Sequence, residues 1–161
     1  MTIRKAAEAD VESILKIYEP YITEQATSFE LTLPSLKDFH RRFQAIAEKF
    51  PWFVAEHNGV ITGYAYASAH RERAAYQWSC EVSVYLDSRY HKRGIGRQLY
   101  TTLFQELKTK GFRNALAGIT LPNEPSEKIH KAMGFELIGV YKNIGQKFDK
   151  WHDVAWYQLE L

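Results

Sequence analysis

Apolar residues in the first third of the chain recur at the 3.6-residue period of an amphipathic helix. The first stripe predicts a helix that Asp10 caps and that Pro20 kinks or ends. Its members are Val11, Ile14, Leu15, Tyr18 and Ile22. A second stripe predicts a helix that begins after the cap Ser35, and a loop over Gln25–Pro34 connects the two.

The rest of the chain mixes short apolar runs, which are typical of strands, with one further helical stripe and a short helix that ends at Gly134. Asn58-Gly59 separates two such runs and tolerates positive φ at both positions, which predicts a hairpin. The loop His91–Gly96 opens a helix that reaches about Lys110, and a short helix covers Asn123–Met133. Strands are predicted at Thr2–Lys5, Trp52–Glu56, Val60–Ala69, Tyr76–Leu86, Asn114–Thr120, Phe135–Tyr141 and Val154–Glu160.

The order of these elements is β-α-α-β-β-β-α-β-α-β-β. Meandering strands followed by two β-α-β steps predict an α/β fold of the α+β type. We therefore expect a mixed, mainly antiparallel sheet with helices on both faces. The length of 161 residues is that of a single domain over residues 1–161.

Composition limits the classes of function. A net charge of +2 is too small to predict nucleic-acid binding. The single cysteine, Cys80, excludes an internal disulfide, and the six scattered histidines predict no metal site. Because no apolar run approaches the roughly 20 residues of a membrane span and the N-terminus lacks a signal-peptide core, we expect no membrane partner and a cytoplasmic location.

The sequence feature with the clearest chemistry is a strand ending at Leu86 that leads into a glycine loop and then a helix. The first N–H groups of such a helix have no internal partner, and Gly94 and Gly96 would let the backbone approach a ligand without Cβ clashes. Three cations lie beside them, which suits a pyrophosphate. They are Lys92, Arg93 and Arg97. The alternative is a surface loop with two turn glycines.

Several segments, taken together and in order, carry a resemblance to a known family. They are Ser28-Phe29-Glu30, Trp78 to Tyr85, Leu121 to Ser126, His130 to Phe135, Lys147-Phe148 and Trp151-His152-Asp153. With the glycine loop, they resemble the GNAT superfamily of N-acetyltransferases, and in particular its phosphinothricin N-acetyltransferase subgroup. His91 stands where that family usually has Gln or Arg.

The resemblance implies that the chain binds acetyl-CoA as a co-substrate. The backbone of Val84–Leu86 would pair with the pantetheine amides like an added strand, and one N–H there would stabilise the oxyanion. The residues implied in coenzyme binding are Val84, Tyr85, Leu86, Lys92, Arg93, Gly94, Ile95, Gly96, Arg97, Asn123 and Ser126. Helix capping is a second role that Asn123 can have.

Three residues match catalytic positions of the family. Glu81 matches the subgroup's base, and strand alternation places it on one face with Ser83 and Tyr85. Its alternative is an exposed carboxylate in a salt bridge. His130 matches a histidine that works with the glutamate, although it could equally orient substrate, relay a proton or lie on a helix surface.

Tyr100 matches the tyrosine that protonates the leaving thiolate. Tyr100 lies off the apolar stripe that contains Leu99 and Leu103, which favours a wet, solvent-accessible position over a position in the core. Cys80 points away from Glu81, so direct attack by the amine is expected rather than an acetyl-enzyme.

The substrate side is expected to be cationic and aromatic. Arg71 and Arg73 alternate at a strand end that leads to Glu81, and a guanidinium suits a substrate with two anionic groups. Phe29 and Tyr76 would add aromatic walls. The alternative is a solvated hairpin tip.

The resulting hypothesis is transfer of acetyl from acetyl-CoA to a small amino-acid-like amine such as phosphinothricin, methionine sulfoximine or methionine sulfone. The resemblance also implies a homodimer. Two alternatives remain open: acetylation of a polyamine, an antibiotic or a protein N-terminus, and an acyl-CoA-binding sensor without catalysis.

Overall fold

The computed structural model describes residues 1–161 and contains four α-helices and seven β-strands. The helices are α1 (Val11–Thr23), α2 (Leu36–Ala47), α3 (Ile95–Thr109) and α4 (Glu124–Ala132). The strands are β1 (Thr2–Lys5), β2 (Trp52–His57), β3 (Val60–Ala69), β4 (Ser79–Leu86), β5 (Asn114–Thr120), β6 (Glu136–Lys147) and β7 (Lys150–Glu160). No helix is long and apolar enough to cross a membrane.

All seven strands form one sheet in the order β1-β2-β3-β4-β5-β7-β6. Every neighbouring pair is antiparallel except β4 and β5, which are parallel. The prediction of a mixed, mainly antiparallel sheet is therefore confirmed.

Strand alternation supplies a separate core to each face of the sheet. Val54 and Tyr64 pack on one face in the cluster formed with α1 and α2. Ala55, Ala65 and Val82 point to the opposite face and pack in the cluster that contains α3. Helices therefore cover both faces, as predicted.

The two parallel strands pair over only part of their length. Ser79–Glu81 of β4 pairs with Asn114–Leu116 of β5, and the pairing stops there although both strands continue. Beyond Glu81 a cleft opens between them, lined on its two sides by residues 82–85 and 117–120. The sheet thus splits at its centre, and this split positions the site.

The structure corrects two predicted element boundaries near the N-terminal half. Of the two effects predicted for Pro20, a kink or an end of the helix, the structure excludes the end, because α1 continues to Thr23 with the side chain of Ile22 buried in its last turn. The strand predicted from Tyr76 begins only at Ser79, because residues 74–76 form a 3-10 turn.

The last two strands are longer than predicted and form one hairpin. Their pairing continues to Lys147 and Lys150, well past the predicted ends of both strands. Phe148 and Asp149 close the turn with φ of 53° and 57°. Neither residue is glycine or asparagine, so the usual sequence signal for a hairpin turn is missing.

Candidate active site

The sequence analysis predicts that the backbone of Val84–Leu86 pairs with the coenzyme, and one of these residues has unpaired backbone groups in the cleft between β4 and β5. The Tyr21 hydroxyl donates to the Leu86 carbonyl at 2.6 Å and accepts the Leu86 N–H at 3.4 Å. The backbone of Leu86 is therefore engaged by α1. Val84 points its backbone groups to the same side, because alternate residues share a direction, and no side chain bonds to them. Within Val84–Leu86, it is therefore Val84 whose backbone N–H and C=O are free to bind a ligand.

Tyr21 is a site residue that the sequence analysis missed, and His91 joins it. The His91 Nε2 atom lies 3.3 Å from both the Tyr21 hydroxyl and the Leu86 carbonyl. This histidine therefore supports the end of β4. Tyr21 had no local signal, since an aromatic residue on an amphipathic helix is ordinarily part of a core.

The glycine loop has the features of an anion-binding helix N-terminus. No backbone N–H from Lys92 to Arg97 donates to a backbone carbonyl. Gly94 caps α3 in the left-handed region, with φ of 74°, and that conformation turns the chain into the helix. With Ile95 at the start of the first turn, these groups fit a pyrophosphate. The three exposed cations of the loop, Lys92, Arg93 and Arg97, add charge.

Gly96 has a packing role that the sequence analysis did not predict. A Cβ built on Gly96 would lie 2.9 Å from Ile129 Cδ1 and 3.7 Å from Leu86 Cδ1. This glycine therefore allows α4 and β4 to pack closely against the first turn of α3. Close approach of a ligand to Gly96 stays a prediction.

Tyr100 and His130 form a buried pair beside the cleft. His130 Nδ1 donates to the Ser126 carbonyl at 2.7 Å, which leaves Nε2 to accept from the Tyr100 hydroxyl at 2.9 Å. Burial lowers the pKa of His130, opposed by its bond to Ser126, and burial raises the pKa of Tyr100 well above its usual value. The pair is therefore a neutral imidazole and a protonated phenol.

This geometry corrects the expectation for Tyr100 and settles one for His130. The wet position predicted for Tyr100 is wrong: its side chain is 0% exposed and stacks on Phe104 at 4.9 Å. His130 is 4% exposed, so it is not a helix-surface residue. His130 contacts Tyr100 and not Glu81.

Asn123 and Ser126 both line the cleft. The Asn123 side chain accepts the Ser126 N–H at 3.3 Å, which is the capping interaction considered in the sequence analysis. Capping fixes the start of α4, and that start sets the position of His130.

Glu81 is the last residue of β4 that pairs with β5, and the cleft begins after it. Its Oε2 atom lies 3.0 Å from His70 Nδ1, and its side chain is 34% exposed. Glu81 is thus neither fully exposed nor bound to a permanent cation. The neighbouring Cys80 faces the opposite core, where burial raises the pKa of the thiol to about 12. A thiol in that state is a poor nucleophile.

Three of the four predicted substrate residues, all except Phe29, line an open cavity of 540 Å³. Its lining consists of His70, Arg71, Glu72, Arg73 and Tyr76. The two arginines are exposed. They lie in the turn after β3 and not at a strand end, since β3 stops at Ala69. That correction leaves them beside the residue that holds Glu81.

Phe29 belongs to a loop that the last hairpin holds in place. Its ring packs against Gly145 of β6, where any Cβ would clash with it. Lys147 is 3% exposed and donates to the Ser28 carbonyl at 2.6 Å. Desolvation lowers the pKa of Lys147, opposed by the charge of Glu30. The loop reaches the cleft, because Thr27 lines it.

The chain matches known acetyltransferases over almost its whole length. The acetyltransferase (GNAT) domain family matches residues 3–156. The phosphinothricin N-acetyltransferase of Streptomyces viridochromogenes is 35% identical over 159 residues, which cover 99% of this chain and 87% of that protein. The L-methionine sulfoximine/L-methionine sulfone acetyltransferase of Salmonella typhimurium is 30% identical over 164 residues, which cover 100% and 95%.

A solved structure agrees in fold. The crystal structure of a GNAT superfamily phosphinothricin acetyltransferase from Sinorhizobium meliloti in complex with acetyl-CoA has a TM-score of 0.95 and 38% identity, and the match covers 99% of this chain and 88% of that one. The split between β4 and β5 and the unpaired N–H groups of the glycine loop suit the binding of acetyl-CoA, the ligand in that solved structure. The chain therefore belongs to the GNAT acetyltransferase family and is an acetyl-CoA-dependent N-acetyltransferase.

Proposed function

We propose that this enzyme acetylates the amino group of a small amino-acid-like substrate of the phosphinothricin, methionine sulfoximine or methionine sulfone type. The observation that carries the proposal is the pair of exposed guanidinium groups, Arg71 and Arg73, on one cavity. His70 lines the same cavity and holds Glu81. A substrate with a carboxylate and a second anionic or strongly polar group suits two such cations, whereas a polyamine would be repelled. The names of the relatives support the same class.

In this proposal Glu81 removes a proton from the substrate ammonium, directly or through water. The ammonium of an amino acid has a pKa of about 8 to 10, so most of it is protonated at neutral pH and cannot attack a thioester. The neutral amine then attacks acetyl-CoA directly, since Cys80 is buried on the other face of the sheet. The free N–H of Val84 lies in the cleft where a developing oxyanion would need a donor.

Tyr100 delivers the proton that the coenzyme sulfur needs as it leaves. Its hydroxyl keeps its proton at neutral pH, and Tyr100 lines the cleft. His130 holds that hydroxyl by accepting its hydrogen bond before the reaction. The O–H then turns from Nε2 to the sulfur, and water returns a proton to the phenolate afterwards. The role of His130 is thus linked to the leaving group.

Substitution of the proposed base tests the mechanism. Glu81→Gln keeps shape and hydrogen bonding but loses basicity, which costs about 10²- to 10⁴-fold in rate. The fall should be present in both kcat and kcat/KM, and a higher pH should partly restore activity because more amine is neutral. A variant within threefold of the wild type at neutral pH would exclude Glu81.

The substrate class is tested by measuring thiol release from acetyl-CoA with a panel of acceptors. Methionine sulfone, methionine sulfoximine and phosphinothricin should give far higher kcat/KM than spermidine, an aminoglycoside or an alanine-terminated peptide. Preference for any of the last three would contradict the proposed class. Tight acetyl-CoA binding without thiol release for any acceptor would instead support a sensor.

We further propose that the enzyme is a homodimer. Six large apolar side chains are exposed on the β6–β7 hairpin, which is more than isolated surface positions would supply and suits an interaction surface. They are Leu137, Ile138, Tyr141, Ile144, Phe148 and Trp151. Light scattering should give twice the mass of the chain, and Ile144→Lys should give the monomer. A monomer at all concentrations for the wild type would contradict this part of the proposal.

A further inference from the structure

His70 is the first residue after β3, and its imidazole reaches the carboxylate of Glu81 on the neighbouring strand. Ser68 of β3 pairs directly with Glu81, so His70 lies two residues further along, diagonally across the ladder. The distance from His70 Nδ1 to Glu81 Oε2 is 3.0 Å. This histidine matched no family motif in the sequence analysis.

The ring of His70 is held by packing on two sides. It meets Tyr76 edge to face at 5.8 Å between centroids and Trp156 at 6.2 Å. Its side chain is 16% exposed. Two aromatic contacts of this kind restrict rotation of the ring, so the direction of its hydrogen bond to Glu81 is fixed.

The hydrogen bond leaves one oxygen of Glu81 free. An ionised carboxylate only accepts hydrogen bonds, so Nδ1–H of His70 is the donor and Oε2 the acceptor. No other protein group bonds to the carboxylate, and Oε1 therefore has no protein partner. His70 also lines the cavity that contains Arg71 and Arg73.

We propose that His70 is a positioning residue that orients Glu81 for proton removal. The inference rests on the proposed function, in which Glu81 is the base. The N–H bond of the substrate ammonium breaks and an O–H bond forms at Glu81 Oε1, after which the proton passes to water. His70 keeps its own Nδ1 proton throughout and exchanges none with the substrate.

Two substitutions separate the hydrogen bond from the ring. His70→Phe keeps an aromatic ring between Tyr76 and Trp156 but removes the donor. His70→Asn removes the ring but keeps an N–H donor on the atom attached to Cγ. The measurements are kcat and both KM values with methionine sulfone and acetyl-CoA, in the wild-type and Glu81→Gln backgrounds. His70→Leu is a second donor-free variant should the phenylalanine disturb the fold.

In the wild-type background, His70→Phe should lower kcat about 10- to 100-fold, as expected for a lost hydrogen bond to a charged group. Both KM values should change little. His70→Asn should keep kcat within about 3-fold of the wild type, because the donor remains. In the Glu81→Gln background, His70→Phe should lower kcat by less than about 2-fold, because the two residues act as one unit.

Each other outcome overturns the inference in a recognisable way. Equal losses from His70→Phe in both backgrounds would show that His70 acts independently of Glu81. A loss in His70→Asn as deep as in His70→Phe would make the imidazole itself the proton acceptor. Wild-type activity of Glu81→Gln would remove the proposed base itself. A large loss in Glu81→Gln with none in His70→Phe would remove the role of His70 alone.

Discussion

His130 shows at the scale of single residues how burial and hydrogen bonding select a protonation state. Its Nδ1 proton is committed to the Ser126 carbonyl, so Nε2 can accept from Tyr100 only while the ring is neutral. Protonation of Nε2 would reverse this hydrogen bond and place a positive charge in a site that is 4% exposed. The buried pair is therefore stable only with a neutral imidazole, consistent with its lowered pKa.

This protonation state gives the enzyme a pH-dependent stability. An unfolded histidine takes up a proton at about pH 6.5, whereas folded His130 takes it up at lower pH because burial lowers its pKa. The free energy of unfolding should therefore fall as the pH drops below about 6.5, with a slope of at most about 1.4 kcal/mol per pH unit. Urea denaturation across this range should show the slope in the wild type and in His57→Gln, an exposed control. His130→Gln should flatten it, and an unchanged slope would exclude His130 as its cause.

At the scale of elements, the start of α3 depends on the conformation of one residue. Gly94 has φ of 74° and Gly59, in the hairpin between β2 and β3, has φ of 77°; a Cβ at either position meets nothing within 4 Å. The two glycines therefore differ in location but not in local strain. Only Gly94 lies beside the unpaired N–H groups proposed to hold the pyrophosphate.

This match provides a controlled test of the coenzyme site. Gly94→Ala and Gly59→Ala should each destabilise the fold by about 1–2 kcal/mol, because an L-residue is strained at positive φ. Gly94→Ala should also raise the KM for acetyl-CoA, whereas Gly59→Ala should leave it unchanged. Isothermal calorimetry with coenzyme A measures the same difference in binding. Equal coenzyme affinity in the two variants would mean that the loop does not hold the pyrophosphate.

At the scale of the whole molecule, Lys147 joins segments that are far apart in the chain. Its ammonium binds the Ser28 carbonyl, while the Tyr18 hydroxyl bonds to the Ser28 side chain at 2.7 Å. The loop that carries Phe29 is thereby fixed between α1 and the β6–β7 hairpin. Movement of the hairpin would move this loop at the edge of the cleft.

Loss of the Lys147 contact should therefore affect the acceptor more than the coenzyme. Lys147→Met leaves the Ser28 carbonyl without its charged donor and should lower the free energy of unfolding by about 1–3 kcal/mol. It should raise the KM for methionine sulfone and leave the KM for acetyl-CoA nearly constant. The control is Lys142→Met, on the same strand but exposed, which should change neither of the two KM values. An effect of equal size on both KM values would mean that the loop is not part of the acceptor pocket.

The same scale explains which parts could be predicted from the sequence. Apolar periodicity identified α1 to α3, and Asn58-Gly59 located the β2–β3 hairpin, because both signals are local. The positions of Tyr21 and His70 at the site depend on contacts across 65 and 11 residues of chain, and no local pattern encodes such contacts. The burial of Tyr100 likewise follows from the packing of α4 and Phe135 against α3, which helical spacing alone does not reveal.

The central claim, that the cavity beside Glu81 binds the carboxylate of an amino-acid substrate, is tested most directly by Arg71→Ala with methionine sulfone as acceptor. Loss of a charge-assisted hydrogen bond worth about 1.5–3 kcal/mol should raise the KM for the sulfone about 10- to 150-fold. The KM for acetyl-CoA should barely change, and Arg41→Ala, an exposed arginine on α2, should change neither. An equal rise in both KM values, or none in that for the sulfone, would contradict the account.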